Sequence, residues 1–138
     1  MWYAAWALAA CWPAGAPIYA HHSFAGVFDG SRPVIVQGTI ARVRWENPHT
    51  WIYIDTKDAK GTAVPWAFEA NEPVILSRAG VTADILKPGL QVTVRGFHAH
   101  DRSKNMGAAR DVTFADGRTV VIGRGGPAWP GDAAAAKP

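Results

Sequence analysis

The stretch Val34-Ile35-Val36-Gln37-Gly38-Thr39-Ile40-Ala41-Arg42-Val43-Arg44-Trp45 alternates in polarity but changes phase midway. Val34, Val36 and Ile40 share one parity, while Ala41, Val43 and Trp45 share the other. Successive side chains of a strand point to opposite faces, so an uncorrected slip of one residue would turn half of this apolar set to solvent. A bulge or sharp bend between Gly38 and Ala41 restores a common inward face. A long, bent first strand of this kind suits a small closed barrel.

Working outward, Asn47-Pro48 interrupts the run, and a second strand follows through Trp51-Ile52-Tyr53-Ile54. Lys57 to Gly61 is a polar turn before a third strand at Ala63 to Glu69, and the three strands form a meander. Asn71-Glu72-Pro73-Val74-Ile75-Leu76-Ser77-Arg78-Ala79-Gly80 combines a cap-type Asn, an early Pro and a terminating Gly, which predicts a short helix. Thr82 to Leu86 adds a turn. Lys87-Pro88-Gly89 leads into Leu90 to His100, where Leu90, Val92 and Val94 share a face opposite Gln91, Thr93 and Arg95. After a polar loop at Asp101 to Gly107, Ala108 to Ala115 forms the next strand, with Val112 and Phe114 inward. Asp116-Gly117 is a hairpin signal before Thr119 to Ile122. The predicted fold class is therefore all-β: an OB-like Greek-key barrel of five to six strands, with one short helix between strands 3 and 4. An up-and-down barrel or a small sandwich shares the strand spacing but has no need of that helix.

The chain has 138 residues, one domain's worth, and 49% of them are hydrophobic against 18% charged, so it can build a packed core. Residues 1–20 contain no Lys, Arg, Asp, Glu or His, which leaves all 14 basic and 11 acidic residues beyond them. A net charge of +3 spread over that remainder is too weak to argue for nucleic acid as a partner. Residues 1–20 read as a signal peptide: an apolar stretch from Trp2 to Trp12, then Pro13, Gly15 and Pro17, then Ile18-Tyr19-Ala20 as a small-residue cleavage site. The segment is too short and too interrupted for a transmembrane span. It has no basic leader, which points to a start codon further upstream. Residues 21–122 form the barrel domain and 123–138 a Gly-, Pro- and Ala-rich tail expected to be disordered. The expected location is periplasmic or secreted. The one cysteine, Cys11, sits in Leu8-Ala9-Ala10-Cys11, which fits a lipobox, so a lipoprotein anchored at Cys11 is the alternative. With either processing the folded domain has no thiol for a disulfide or a metal site.

Several fragments carry a family likeness: His21-His22-Ser23-Phe24, Phe28-Asp29, Val36-Gln37-Gly38-Thr39-Ile40, Asn47-Pro48-His49-Thr50-Trp51-Ile52-Tyr53, Leu86-Lys87-Pro88-Gly89 and the Asp111 to Gly117 hairpin. Together they resemble a family of small exported bacterial proteins catalogued only as a domain of unknown function. The likeness runs from about Ala20 to Val121, and it implies an exported OB-like barrel without an established activity.

All 5 histidines follow the signal segment: His21, His22, His49, His98 and His100. Cleavage after Ala20 would make His21 the first residue, so that its free amine and imidazole chelate one metal ion. A nitrogen-rich set of this kind suits Cu(II). With reference pKa values of about 8 and 6.5, amine and imidazole lose their protons to a metal cheaply near neutral pH. In an OB barrel the loop after strand 1 and the loop between strands 4 and 5 flank one face. Those loops hold His49 and the His98/His100 pair, so convergence on one metal is the sharp expectation. The plain alternatives are a frayed terminus at His21 and His22, a turn role for His49 after Pro48, and a solvent-reaching strand end at His98 and His100.

Asn47 and Trp51 flank His49 and are candidate binding residues. Trp45, Trp51, Tyr53, Trp66 and Phe68 lie on the first three strands, where OB folds stack bases or sugars, with Arg42, Arg44 and Arg95 as companions. A barrel this small needs most of these rings for its core. Glu69/Glu72 and Asp55/Asp58 are carboxylate pairs in sequence, better explained by turns and caps. No Gly-x-Ser-x-Gly, His-Glu-x-x-His, Gly-Lys-Ser/Thr loop or Cys-x-x-Cys occurs, so no catalytic residue is assigned. The sequence thus reads as an exported binding module, with copper as the candidate cofactor and no enzymatic role. The competing class is a metal-free module that recognises an envelope protein through its barrel face or a sheet edge.

Overall fold

The computed structural model describes residues 23–132. The expected signal segment, Cys11 and the His21-His22 pair lie outside the described residues, as does the end of the tail. The elements run α1 (Phe24–Val27), β1 (Phe28–Arg44), β2 (Trp51–Lys57), β3 (Ala63–Glu69), α2 (Pro73–Arg78), β4 (Gln91–Ala99), β5 (Met106–Phe114) and β6 (Thr119–Val121).

β1 is long because it serves two neighbours. Its first part pairs with β4, from Phe28↔Ala99 to Thr39↔Gln91, and its second with β2, from Thr39↔Asp55 to Arg44↔Trp51. The strand order is β3-β2-β1-β4-β5-β6, and a parallel pairing of β3 with β5 closes the first five strands into a ring. The all-β, OB-like barrel with a helix between β3 and β4 is therefore what the chain forms. The β1–β4 pairing and the parallel β3–β5 closure exclude the up-and-down alternative.

The register of β1 against β2 shifts between Ile40 and Arg42, so the bulge sits at Ala41. Ala41 and Arg42 both face solvent, after which Val43 and Trp45 return to pack on the core. A second bulge lies in β5, where Arg95 pairs with Asp111 but Gly96 with Ala109. It turns Arg110 and Asp111 outward together, which the sequence reading did not foresee.

The core gathers Ile40, Ile52, Ile54, Phe68, Val94 and Val112, none more than 0% exposed, and α2 contributes Leu76 as a plug with Val81 and Leu86. Asn71 departs from its expected capping role. The N-cap is Glu72, with no side-chain capping bond, and Asn71 Nδ2 instead donates to the Gly123 carbonyl at 2.6 Å. Thr50 is fully buried, and its Oγ1 has no hydrogen-bond partner among the described residues. An unsatisfied buried hydroxyl costs stability that an isosteric methyl does not. Thr50→Val is expected to raise unfolding free energy by about 1 kcal/mol in urea titration; a loss of similar size would show that the hydroxyl has a partner.

Two features lie outside the expected pattern. β1 begins at Phe28 rather than Val34, and α1 precedes it, forming a second apolar cluster of Phe28, Ala99 and Ala108 with Phe24, Val27 and Met106. The expected disordered tail is corrected for residues 123–132. Trp129 is only 8% exposed, its ring centroid is 5.7 Å from that of Phe97, and Arg95 lies over it at 5.1 Å. No helix among the described residues is long and apolar enough to cross a membrane.

Candidate functional site

A cavity of about 120 Å³ opens where α1, the start of β1, the end of β3, the middle of β5 and the segment after β6 meet. Phe24, Val27, Phe28, Ala108 and Ala109 make its apolar wall, and His49, Glu69 and Arg124 its polar end. The hairpin register explains how His49 and Glu69 meet. Lys57 pairs with Ala63 and Trp51 with Glu69, so the last residue of β3 stands opposite the first of β2, next to the loop that carries His49. Thr50, between His49 and Trp51, is fixed at both ends of its peptide: its N–H donates to the Asn71 carbonyl at 3.1 Å and its carbonyl accepts from Ala70 at 2.8 Å.

His49 Nε2 lies 3.4 Å from Glu69 Oε1, and both side chains are largely covered, at 14% and 16% exposure. Arg124 NH1 lies 2.7 Å from Nε2 and 3.0 Å from Nδ1. A guanidinium can only donate, so the ring nitrogen that accepts from it presents its lone pair. The shorter contact is to Nε2, and the Glu69 carboxylate stands 3.4 Å from the same nitrogen. The polar end thus joins one imidazole, one carboxylate and one guanidinium beside an apolar wall. Donors at about 2.0–2.2 Å from a first-row ion such as zinc sit roughly 3 Å apart when adjacent, so the His49–Glu69 spacing suits a shared ion, but the Arg124 guanidinium stands 2.7 Å from the same Nε2.

The other expected residues are distributed elsewhere. His98 keeps the inward parity of Val92 and Val94, but its ring stands edge-on to Trp66 at 5.3 Å, and Nδ1 is 2.8 Å from the Ala99 carbonyl. His100 lies past the end of β4, exposed, with Nε2 3.0 Å from the Ala25 carbonyl. Neither lines the cavity, and among the described residues no group of three or more His, Cys, Asp or Glu side chains is placed to hold a metal. The expected convergence of His49 with the His98/His100 pair is not found. Asn47 is exposed and Trp51 half-buried on the outer face of β2.

Trp51 and Tyr53 share that outer face with Arg42 and Arg44, their partners on β1. Arg42 lies 4.0 Å over the Tyr53 ring. The Arg44 guanidinium is held above its ordinary pKa, first by its hydrogen bond to Tyr53 and then by Glu46. This face is therefore largely self-satisfied. Phe68, by contrast, is core, stacked on Trp66 at 5.6 Å.

Glu69 and Arg124 were missed as site residues. The signal for Glu69 was in the meander: a turn centred near Lys60 puts residue 69 opposite residue 51. Nothing in the sequence marked Arg124, because a Gly- and Pro-rich segment carries no periodicity.

Fold and site define a small OB-type barrel with a lateral cavity that is apolar on one side and ionisable at one end. The chain belongs to the Family of unknown function (DUF6152), whose model matches residues 9–109. The match begins within the N-terminal apolar stretch and ends before the Asp111–Gly117 hairpin. No curated protein and no solved structure matches the chain.

Proposed function

We propose that this chain is an exported binding module that holds one copper ion at the polar end of the cavity. The observation that carries this reading is that Phe24 lines the same cavity as His49 and Glu69. His21 precedes Phe24 by three residues, and three residues of chain reach at most about 11 Å. A His21 freed by cleavage after Ala20 would carry an amine and an imidazole on a three-residue tether from Phe24. His22 is a further donor on the same short tether. Export to the periplasm or beyond is part of the reading, because the free amine requires removal of residues 1–20; lipidation at Cys11 would leave no such amine.

The test uses the chain purified as its host processes it, titrated with Cu(II) alone in a calorimeter. His49→Ala is expected to weaken binding on the order of 100-fold, at least the upper range for loss of an outer-sphere partner. Unchanged affinity would remove His49 from the site.

A second reading, recognition of an envelope protein without metal, draws on the exposed apolar residues of the barrel. Ile35 at 64% and Val121 at 68% exposure flank the Arg95–Asp111 pair across four strands. Under this reading partner binding is insensitive to copper and to truncation of His21 and His22.

A further inference from the structure

The apolar wall of the cavity is fixed by packing on two sides. The Phe24 ring is 5.7 Å from that of Phe28 and stands edge-on to Phe97 at 5.7 Å. It also lies against the backbone of Gly126, where φ is 105° and an added Cβ would stand 3.0 Å from Phe24 Cε2. Glycine takes up both that angle and that closeness without strain. The segment carrying Arg124 is thus pressed onto the aromatic wall after Gly125. Before Arg124, the Gly123 N–H donates to the Arg110 carbonyl at 2.9 Å and the Gly123 carbonyl accepts from Asn71. Wall and arginine are held in place by the fold itself, as in a preformed ligand pocket.

A metal ion at the polar end would leave this wall uncovered. Phe24, Val27, Phe28, Ala108 and Ala109 offer it only hydrocarbon, which favours an apolar group. Arg124, which is exposed, makes its contacts among the described residues through NH1 to the His49 ring, and no ion pair joins it to a carboxylate there. Its Nε and NH2 form the edge of the guanidinium that matches both oxygens of a carboxylate. An apolar wall that ends in such a cation is complementary to an amphipathic anion. The cavity, at about 120 Å³, is smaller than the roughly 150 Å³ that takes up benzene, so the tail must be short.

We infer that the cavity binds a short monocarboxylic acid of about four to six carbons, with its carboxylate on Arg124 and its tail against Phe24, Val27 and Phe28. The inference does not rest on the metal reading, because it needs neither a metal nor a change in the contacts of His49.

The experiment is calorimetric titration of the host-processed chain, stripped of metal with EDTA, with acetate, butanoate, pentanoate and octanoate at neutral pH. Affinity is expected to rise about fourfold per methylene from acetate to pentanoate and to fall for octanoate, whose tail exceeds the cavity. Arg124→Gln changes an exposed side chain and is expected to weaken pentanoate binding about 10-fold or more, with Arg124→Lys recovering part of the loss. Equal affinity of wild type and Arg124→Gln overturns the proposal, as does a flat response to chain length or no binding of any acid. Pentylamine bound as tightly as pentanoate would assign recognition to Glu69 and overturn it as well. Titration of the same preparation with Cu(II) in place of the acids reports on the metal reading separately, so either can fail alone.

Discussion

Phe68→Ala is expected to lower unfolding free energy by about 3–5 kcal/mol, the range for emptying a large aromatic site in a closed core. Phe68 is 0% exposed and stacks on Trp66. Two glycines on neighbouring strands lie against its ring, each also crowded by a backbone carbonyl, Ala108 O at Gly96 and Phe97 O at Gly107. A Cβ at Gly107 would lie 2.9 Å from Phe68 Cε1, and one at Gly96 would lie 3.2 Å from it while running into the Ala108 carbonyl. The ring thus rests against bare backbone on β4 and β5, where no side chain of Gly96 or Gly107 stands ready to fill the space once it is gone. Urea unfolding should show a lower midpoint with an unchanged slope, and Phe68→Leu should recover most of the loss. A loss below about 1 kcal/mol for the alanine variant would mean that the ring does not fill the barrel.

Asp111→Ala should be the second largest effect, about 2–3 kcal/mol. Asp111 is 2% exposed on the outer side of β5, where the bulge has placed it, and accepts from Arg95 Nε at 2.8 Å and NH2 at 2.6 Å. Arg110 Nε adds a contact at 3.5 Å. Breaking a fully buried pair costs about 3–5 kcal/mol because the surviving charge is stranded. The Arg95 side chain is 31% exposed, so water recovers part of that and the expectation is lower. The bond to Asp111 is also the leading reason that the Arg95 guanidinium sits above its ordinary pKa, with Asp132 contributing. Loss of the carboxylate should loosen Arg95 from Trp129, so the same variant is expected to cut faster in the segment after β6 under limited proteolysis. Unchanged stability would contradict the assignment of Asp111 as the anchor of this cluster.

The barrel was legible in the sequence because its signals are local. The phase change around Ala41, the turn at Lys57 to Gly61 and the Pro- and Gly-bounded helix each act within a few residues, and only a few closed arrangements accept that order. Parity alone located the inward residues of β4, and the bulge at Ala41 appeared as a slip in the apolar pattern. The bulge in β5 left no such mark, since Ala108-Ala109-Arg110-Asp111 reads as a plausible strand in either phase. α1 was too short to show a helical period.

The site was less legible because it is built by contacts between distant residues. His49 stood out as a histidine in a constrained turn, whereas Glu69 looked like a strand end and Arg124 like part of a tail. His98 and His100 drew attention by their spacing, yet spacing of two places residues on one side only while the strand lasts, and β4 ends at Ala99. The tail was misjudged for a related reason: Gly and Pro fit disorder, but Trp129 and Asp132 find Arg95, Phe97 and Arg110 on a surface that a sequence does not display.

The central claim, a copper ion held between a processed terminus and His49, is tested most directly by native mass spectrometry of the host-processed protein. One spectrum reports both the first residue and the bound metal. The account predicts a chain beginning at His21 that carries one copper ion. A chain beginning at His21 that stays metal-free after Cu(II) is offered would contradict it.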